Sequence, residues 1–218
     1  MCSRYLSDHD GASLTRRFAF ETAPTSMGDY DMRPSYQGLF IRPTIGSHLE
    51  AAVGRWGLVS GAATDRALAL STFNARDDRV QNAPTYMRAW RRGQRCLIPA
   101  EAIYEPDWRQ RYQVPTRFNL VSGESMMLAG IWDKGVDTFG AFDSYSMLTI
   151  NADDHDLFKH YHRQNEEKRM VVVLPEAAWG VWLLGPTSEA IRLLRPVPAQ
   201  MIVATPEPEG NALNLSLF

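Results

Sequence analysis

The chain has 218 residues, 44% hydrophobic and 22% charged, with 15 Gly, 13 Pro, 2 Cys and a formal charge of −2. That composition belongs to an ordinary globular protein and excludes disordered, collagen-like and membrane-spanning classes. A charge so close to neutral also excludes attachment to duplex DNA by bulk charge alone.

In chain order, the first clear element is a helix over Pro84–Arg92. Proline suits its first turn, Gly93 stops it, and Tyr86, Ala89 and Trp90 share one face while Arg88, Arg91 and Arg92 share the other. Runs of strand character follow at Arg95–Pro99, Ser125–Trp132 and Tyr145–Ile150, each bounded by turn residues. Asp153 or Asp154 then offers a cap for a short helix running through His155, Leu157, Phe158 and Tyr161. Arg169–Leu174 reads as a further strand, and Pro175–Leu184 as a helix with Trp179, Trp182 and Leu183 on its buried face and Gly185 closing it. No repeat, low-complexity tract or linker interrupts the chain, so one domain over residues 1–218 is expected. The mixture predicts an α+β fold: a β-rich single domain of antiparallel, barrel-like sheets flanked by short helices.

The longest apolar runs, Met170–Leu174 and Met201–Ala204, fall far short of the roughly 20 residues that cross a bilayer. The first ten residues carry charge where a secretory signal needs an apolar stretch, so a cytoplasmic location is expected, nucleoid-associated when bound to DNA. Charge is unevenly distributed: residues 1–117 hold 16 Arg against 12 acids, and residues 118–218 hold 7 basic against 13 acidic groups. With 20 Arg and only 3 Lys, a polyanion would meet the first part of the chain, and arginine's planar fork suits phosphate and base faces.

Cys2 carries the most chemistry. Removal of Met1, common before a small residue, leaves a terminal cysteine with an amine and a thiol on adjacent carbons. The amine titrates near 7.7–8.0 and the thiol near 8.5, so both have nucleophilic forms around neutral pH. Attack of the amine on an aldehyde gives an imine, and the thiol closes on the same carbon to form a five-membered thiazolidine. Cys96, inside an apolar strand, reads as a small buried hydrophobe.

Ordered motifs accompany it: Cys2-Ser3-Arg4, Arg55-Trp56-Gly57-Leu58, Phe73-Asn74-Ala75-Arg76, Arg95 to Ala100 followed by Tyr104-Glu105, Ala129-Gly130-Ile131-Trp132, and His162 with Arg169 to Leu174. Together they resemble the SRAP (SOS response-associated peptidase) family over residues 2 to about 184. The resemblance implies recognition of abasic sites in single-stranded DNA and covalent capture of the ring-opened sugar aldehyde by Cys2. It also implies self-processing peptidase action and nicking through a Schiff-base lyase route. It makes Asn74 the amide that positions the terminal residue or sugar, Glu105 the proton shuttle, and His162 the group that protonates the sugar oxygen or holds the opened hydroxyl.

The chain departs from the family pattern in having Ser3 after the cysteine, Asp77-Asp78-Arg79 after the Asn-Ala-Arg motif, Pro106 after the glutamate and six residues between His162 and Arg169. His160 competes with His162, because periodicity does not separate them. Trp56 is expected in part in the core and in part as a platform for an unpaired base. Arg4, Arg76 and Arg169 are read as phosphate ligands or as structural ion pairs. The cluster of His155, His160 and His162 with Asp153, Asp154 and Asp156 shows no compact ligand spacing, so neither metal nor cofactor is expected. Two other functions fit parts of the pattern: an N-terminal-nucleophile amidohydrolase of glutaminase type using Cys2, and a noncatalytic single-stranded DNA binder.

Overall fold

The computed structural model describes residues 2–61, 66–109, 112–163 and 165–207. Its elements run β1 (Arg4–Ser7), α1 (Gly11–Phe18), β2 (Asp31–Met32), β3 (Gln37–Pro43), β4 (Leu49–Trp56), β5 (Asn74–Arg76), α2 (Pro84–Arg91) and β6 (Arg95–Asp107). They continue with β7 (Val114–Leu120), β8 (Met126–Asp137), β9 (Gly140–Asn151), β10 (Arg169–Val171), α3 (Glu176–Leu184), α4 (Thr187–Ala190) and β11 (Ile202–Pro206).

Five strands close into a barrel. β3 pairs antiparallel with β4 and β6, β6 with β8, and β8 with β9. A short parallel pairing of Arg55 and Trp56 with Ser144 and Tyr145 joins β4 to β9 and completes the ring. Closure leaves no open edge among these five, the usual reason a sheet of this size curls on itself. The fold is thus α+β, a β-barrel with added strands and short helices. Gly57 ends the seam in a conformation with φ of 133°, and a Cβ there would collide with Ala69.

The 13-residue β6 organises the rest. Beyond the barrel it continues as a platform for β1 on one side and β7 on the other, and β7 in turn carries β11. β5 and β10 add to β9. The barrel interior is filled by large side chains, Phe40, Trp56, Tyr145 and Tyr5 among those fully buried. α2 buries Tyr86, Ala89 and Trp90, and α3 buries Trp179, Trp182 and Leu183, as their periodicity predicts.

The helix expected after Asp153 is instead a single 3-10 turn, Phe158–His160. The His155 ring replaces an aspartate as its cap: Nδ1 accepts from the backbone N–H groups of Leu157 and Phe158, both at 3.1 Å, and Nε2 meets the carbonyl oxygen of Val197 at 2.8 Å. Phe158 stacks on Phe118 and Tyr161 meets the same ring edge-on. Once these two are anchored the backbone turns extended at Tyr161, which carries His162 back to β6.

Candidate active site

Pairing of Arg4 with Tyr104 and Tyr5 with Ile103 lays β1 along β6, so the residues before Arg4 approach Glu105. Tyr5 locks this register from inside the barrel, its hydroxyl 2.5 Å from that of Tyr145. Cys2 is fully buried, with its thiol donating to the carbonyl oxygen of Arg4 at 3.3 Å. Burial, together with the negative charge of Glu105, pushes the thiol up to about 12, and backbone groups of Arg4 and Tyr104 oppose this only in part. Met1 lies outside the described residues.

Asn74 donates from Nδ2 to the carbonyl oxygen of Cys2 at 2.7 Å. Its position is fixed by parallel pairing of β5 with β9 and by the Tyr86 hydroxyl, which donates to the Asn74 carbonyl oxygen at 3.0 Å. Glu105 sits on β6 with 1% of its surface exposed, and burial raises its carboxyl to about 7. His162 lies 3.3 Å from it, Nε2 to Oε2, while the same nitrogen is 3.2 Å from the Arg169 carbonyl oxygen. A carbonyl only accepts, so Nε2 is assigned the proton. Burial lowers the imidazole to about 4, so the ring is neutral at pH 7.

The backbone of His162 is itself unusual. It takes φ of 65°, and its N–H donates to the Pro106 carbonyl oxygen at 3.0 Å. A left-handed residue other than glycine costs on the order of 1 kcal/mol. Here that conformation aims the ring at Glu105, one residue before the carbonyl it bonds. His160 is exposed on the preceding turn, so the histidine brought against Glu105 is His162.

The residues read as nucleic-acid ligands are placed differently. Trp56 is fully buried, donates from Nε1 to the Phe73 carbonyl oxygen at 2.9 Å and meets Tyr5 edge-on, so it is a barrel-core residue and offers no face to a base. Arg169 is also buried; it pairs with Asp77 at 2.6 Å and Glu167 at 2.9 Å and donates to the Thr149 carbonyl oxygen. It is a structural ion pair that leaves no donor facing solvent for a phosphate. Arg76 divides its donors between Asp78 and Glu167. Glu167, bonded by Arg76 and Arg169 together, is held down to about 2. Arg4 forks onto Asp31 with two 2.9 Å bonds and covers the Tyr104 ring.

Sequence reading missed Tyr86 as a positioning group, because its place on the apolar face of α2 marks it only as core. It also missed the partners in the Arg76–Glu167–Arg169–Asp77 network, whose two halves, 76–77 and 167–169, lie about 90 residues apart and which fixes the carbonyl that His162 faces. Among the described residues, no group of three or more His, Cys, Asp or Glu side chains is arranged to hold a metal ion, and no helix is long and apolar enough to cross a membrane.

The family model for SOS response associated peptidases (SRAP) matches residues 1–208. The chain belongs to the SRAP family. Family membership supports a peptidase-like role associated with the SOS response. A crystal structure of a Bordetella bronchiseptica protein is 42% identical, covers 94% of this chain and 99% of its own, and superposes with a TM-score of 0.87. A Bacteroides thetaiotaomicron structure shares the fold at 17% identity and TM-score 0.79, covering 95% of this chain and 93% of its own. A phage-related protein of Bordetella bronchiseptica shares it at 16% identity and TM-score 0.70, with 94% of each chain covered. No curated relative matches the chain.

Proposed function

We propose that this SRAP protein captures abasic sites in single-stranded DNA by forming a thiazolidine between the ring-opened sugar aldehyde and Cys2, once Met1 has been removed. The observation that carries the proposal is the convergence on Cys2 of an amide at 2.7 Å from its carbonyl oxygen and a buried carboxyl whose charge acts on its thiol. An aldehyde trap needs this inventory: an immobilised amine and thiol, and an acid–base group whose pKa lies near the working pH.

In the proposed sequence the Cys2 amine adds to the aldehyde carbon. Glu105 in its acid form gives a proton to the resulting hydroxyl, which leaves as water and generates an iminium. The Glu105 carboxylate then takes the thiol proton as sulfur bonds to the iminium carbon, restoring the acid and closing the ring. One water is lost and no oxidant or metal takes part. Burial raises both the thiol and the carboxyl, so the thiol needs such a base, and a carboxyl raised toward neutrality can both give and take protons there. His162 is neutral at that pH and serves as a hydrogen-bonding group for the opened sugar hydroxyl rather than as the acid. Asn74 orients the terminal residue through its carbonyl without titrating.

The test is intact-mass and denaturing-gel analysis of Met1-free protein with single-stranded DNA bearing one abasic site, beside Cys2→Ser and undamaged DNA. The expected product is a denaturant-stable adduct with the mass of protein plus DNA less one water, absent from both controls. No adduct from protein with a confirmed free Cys2 amine would overturn the proposal.

A further inference from the structure

A concavity of 760 Å³ lies between the β7–β11 ribbon, β8, α3 and the segment after α4, and shares no lining residue with the Cys2 site. Its volume falls in the range of small-molecule sites, and Leu120, Met127, Leu174, Trp179, Val197 and Met201 give it an apolar wall. A void of this kind normally closes by relaxation of its lining, since unfilled apolar volume is costly. Here the lining is braced. Trp179 is stacked on Phe18, covered by Arg17 at 4.6 Å, and donates from Nε1 to the Leu174 carbonyl oxygen at 3.0 Å. Leu174 is itself bonded to Met127 through the backbone, at 2.9 Å. On the far wall, Pro196 and Pro198 fix the backbone on either side of Val197, whose carbonyl oxygen is 2.8 Å from the His155 ring. The opening is thus preformed, which spares an occupant the ordering cost of binding.

The charged lining is biased. Arg17, Arg192 and Arg195 face Glu124 and Glu176, and Glu176 lies 3.6 Å from Arg17. Arg192 and Arg195 are exposed and form no ion pair among the described residues. An apolar body with one anionic end satisfies both features, because its chain replaces water on the apolar wall while the two guanidinium groups neutralise its head. We infer that this cavity binds an amphipathic carboxylate of the fatty-acid type, with the aliphatic chain against Trp179 and Met127 and the carboxylate at Arg192 and Arg195.

Calorimetric titration of the full chain with decanoate tests this, with decanol as the uncharged probe. One equivalent of decanoate is expected to bind. The Arg192→Ala/Arg195→Ala double variant, which changes only exposed side chains, should lose about tenfold in decanoate affinity and keep its decanol affinity. Ala178→Phe, which adds a ring from the α3 wall, should block both probes at an unchanged unfolding temperature. Absence of decanoate binding, or binding equally strong in the double variant, would overturn the inference. So would displacement of decanoate by a peptide of residues 208–218, in which Leu213, Leu215 and Leu217 alternate with polar or small residues. That result would assign the cavity to the chain's own segment.

Discussion

His162 Nε2 lies 3.3 Å from Glu105 Oε2, with both side chains almost wholly enclosed and each displaced by burial toward its neutral form. The pair is therefore a carboxylic acid beside a neutral imidazole through most of the weakly acidic range, rather than a fixed ion pair. That leaves the proton on Glu105 available for transfer, and the proposed chemistry depends on this.

Glu105→Gln keeps the shape and removes the titration. The rate of adduct formation should fall by about 10²–10⁴, the usual contribution of a positioned acid–base group. The decline of the wild-type rate above pH 7, where Glu105 loses its proton, should disappear from the residual rate of the variant. Single-turnover rates between pH 5 and 9 measure both. A variant retaining the wild-type alkaline limb would exclude Glu105 as the titrating acid.

The same two groups set opposite pH slopes on stability. Glu105 is raised from 4.5 to about 7, so its contribution is fully present below 4.5 and is lost as pH rises through 7. His162 is lowered from 6.5 to about 4, so its contribution is present above 6.5 and is lost as pH falls through 4. Between 4.5 and 6.5 the two slopes offset. Glu105→Gln removes the falling one, and its unfolding free energy in urea should rise more steeply with pH over that window than the wild type's. Parallel curves would show that Glu105 is not displaced in the fold.

Asn74→Ala breaks the 2.7 Å bond to the Cys2 carbonyl and leaves a buried acceptor unmatched, at a cost of about 1–3 kcal/mol. Adduct formation should slow by at least about tenfold at saturating DNA, because the terminal residue loses its orientation. DNA affinity measured with Cys2→Ser in the background should hardly change. A variant that forms adduct at the wild-type rate would remove Asn74 from the site.

The two histidines separate cleanly. His162→Ala should slow capture while His160→Ala, on an exposed turn, should leave rate and stability within error of wild type. If the effects are reversed, the contact with Glu105 has no part in the reaction.

Trp56→Phe removes the bond to the Phe73 carbonyl and part of the barrel filling, and should cost about 2 kcal/mol in unfolding free energy. Affinity of the folded protein for single-stranded DNA, measured by fluorescence anisotropy, should stay the same. A selective loss of affinity at unchanged stability would restore the base-stacking reading.

Local patterns in the sequence reached the helices over 84–91 and 176–184 and the cores of β6, β8 and β9, because proline, glycine and apolar periodicity act within a few residues. The barrel-like sheet is the class the sequence predicts, but the strand order that closes it is not encoded locally, since closure rests on two parallel pairs between β4 and β9 far apart in the chain. The turn at 158–160 was misread as a helix because an aspartate-rich start resembles a cap, whereas the side chain that bonds the free N–H groups is His155. Choosing between His160 and His162 required the backbone reversal at φ 65°, which no periodicity encodes. Trp56 and Arg169 sit in motifs shared with the site yet belong to its scaffold, so proximity in sequence to a reactive residue did not separate contact from support.

The pairing of β1 with β6 also has a temporal side. The strand next to Cys2 can pair with β2 early, but the β6 wall of the site, with Tyr104 and Glu105, is synthesised only roughly 90 residues later, which at about 5–20 residues per second is a delay on the order of 5–20 s. During that interval the start of the chain is open to the aminopeptidases that work at the ribosome. Afterwards, the residues before Arg4 lie against β6 and the Cys2 side chain is buried. On the proposed chemistry, fold topology thus sets the interval in which a free Cys2 amine is most readily made, before β6 lies against the start of the chain.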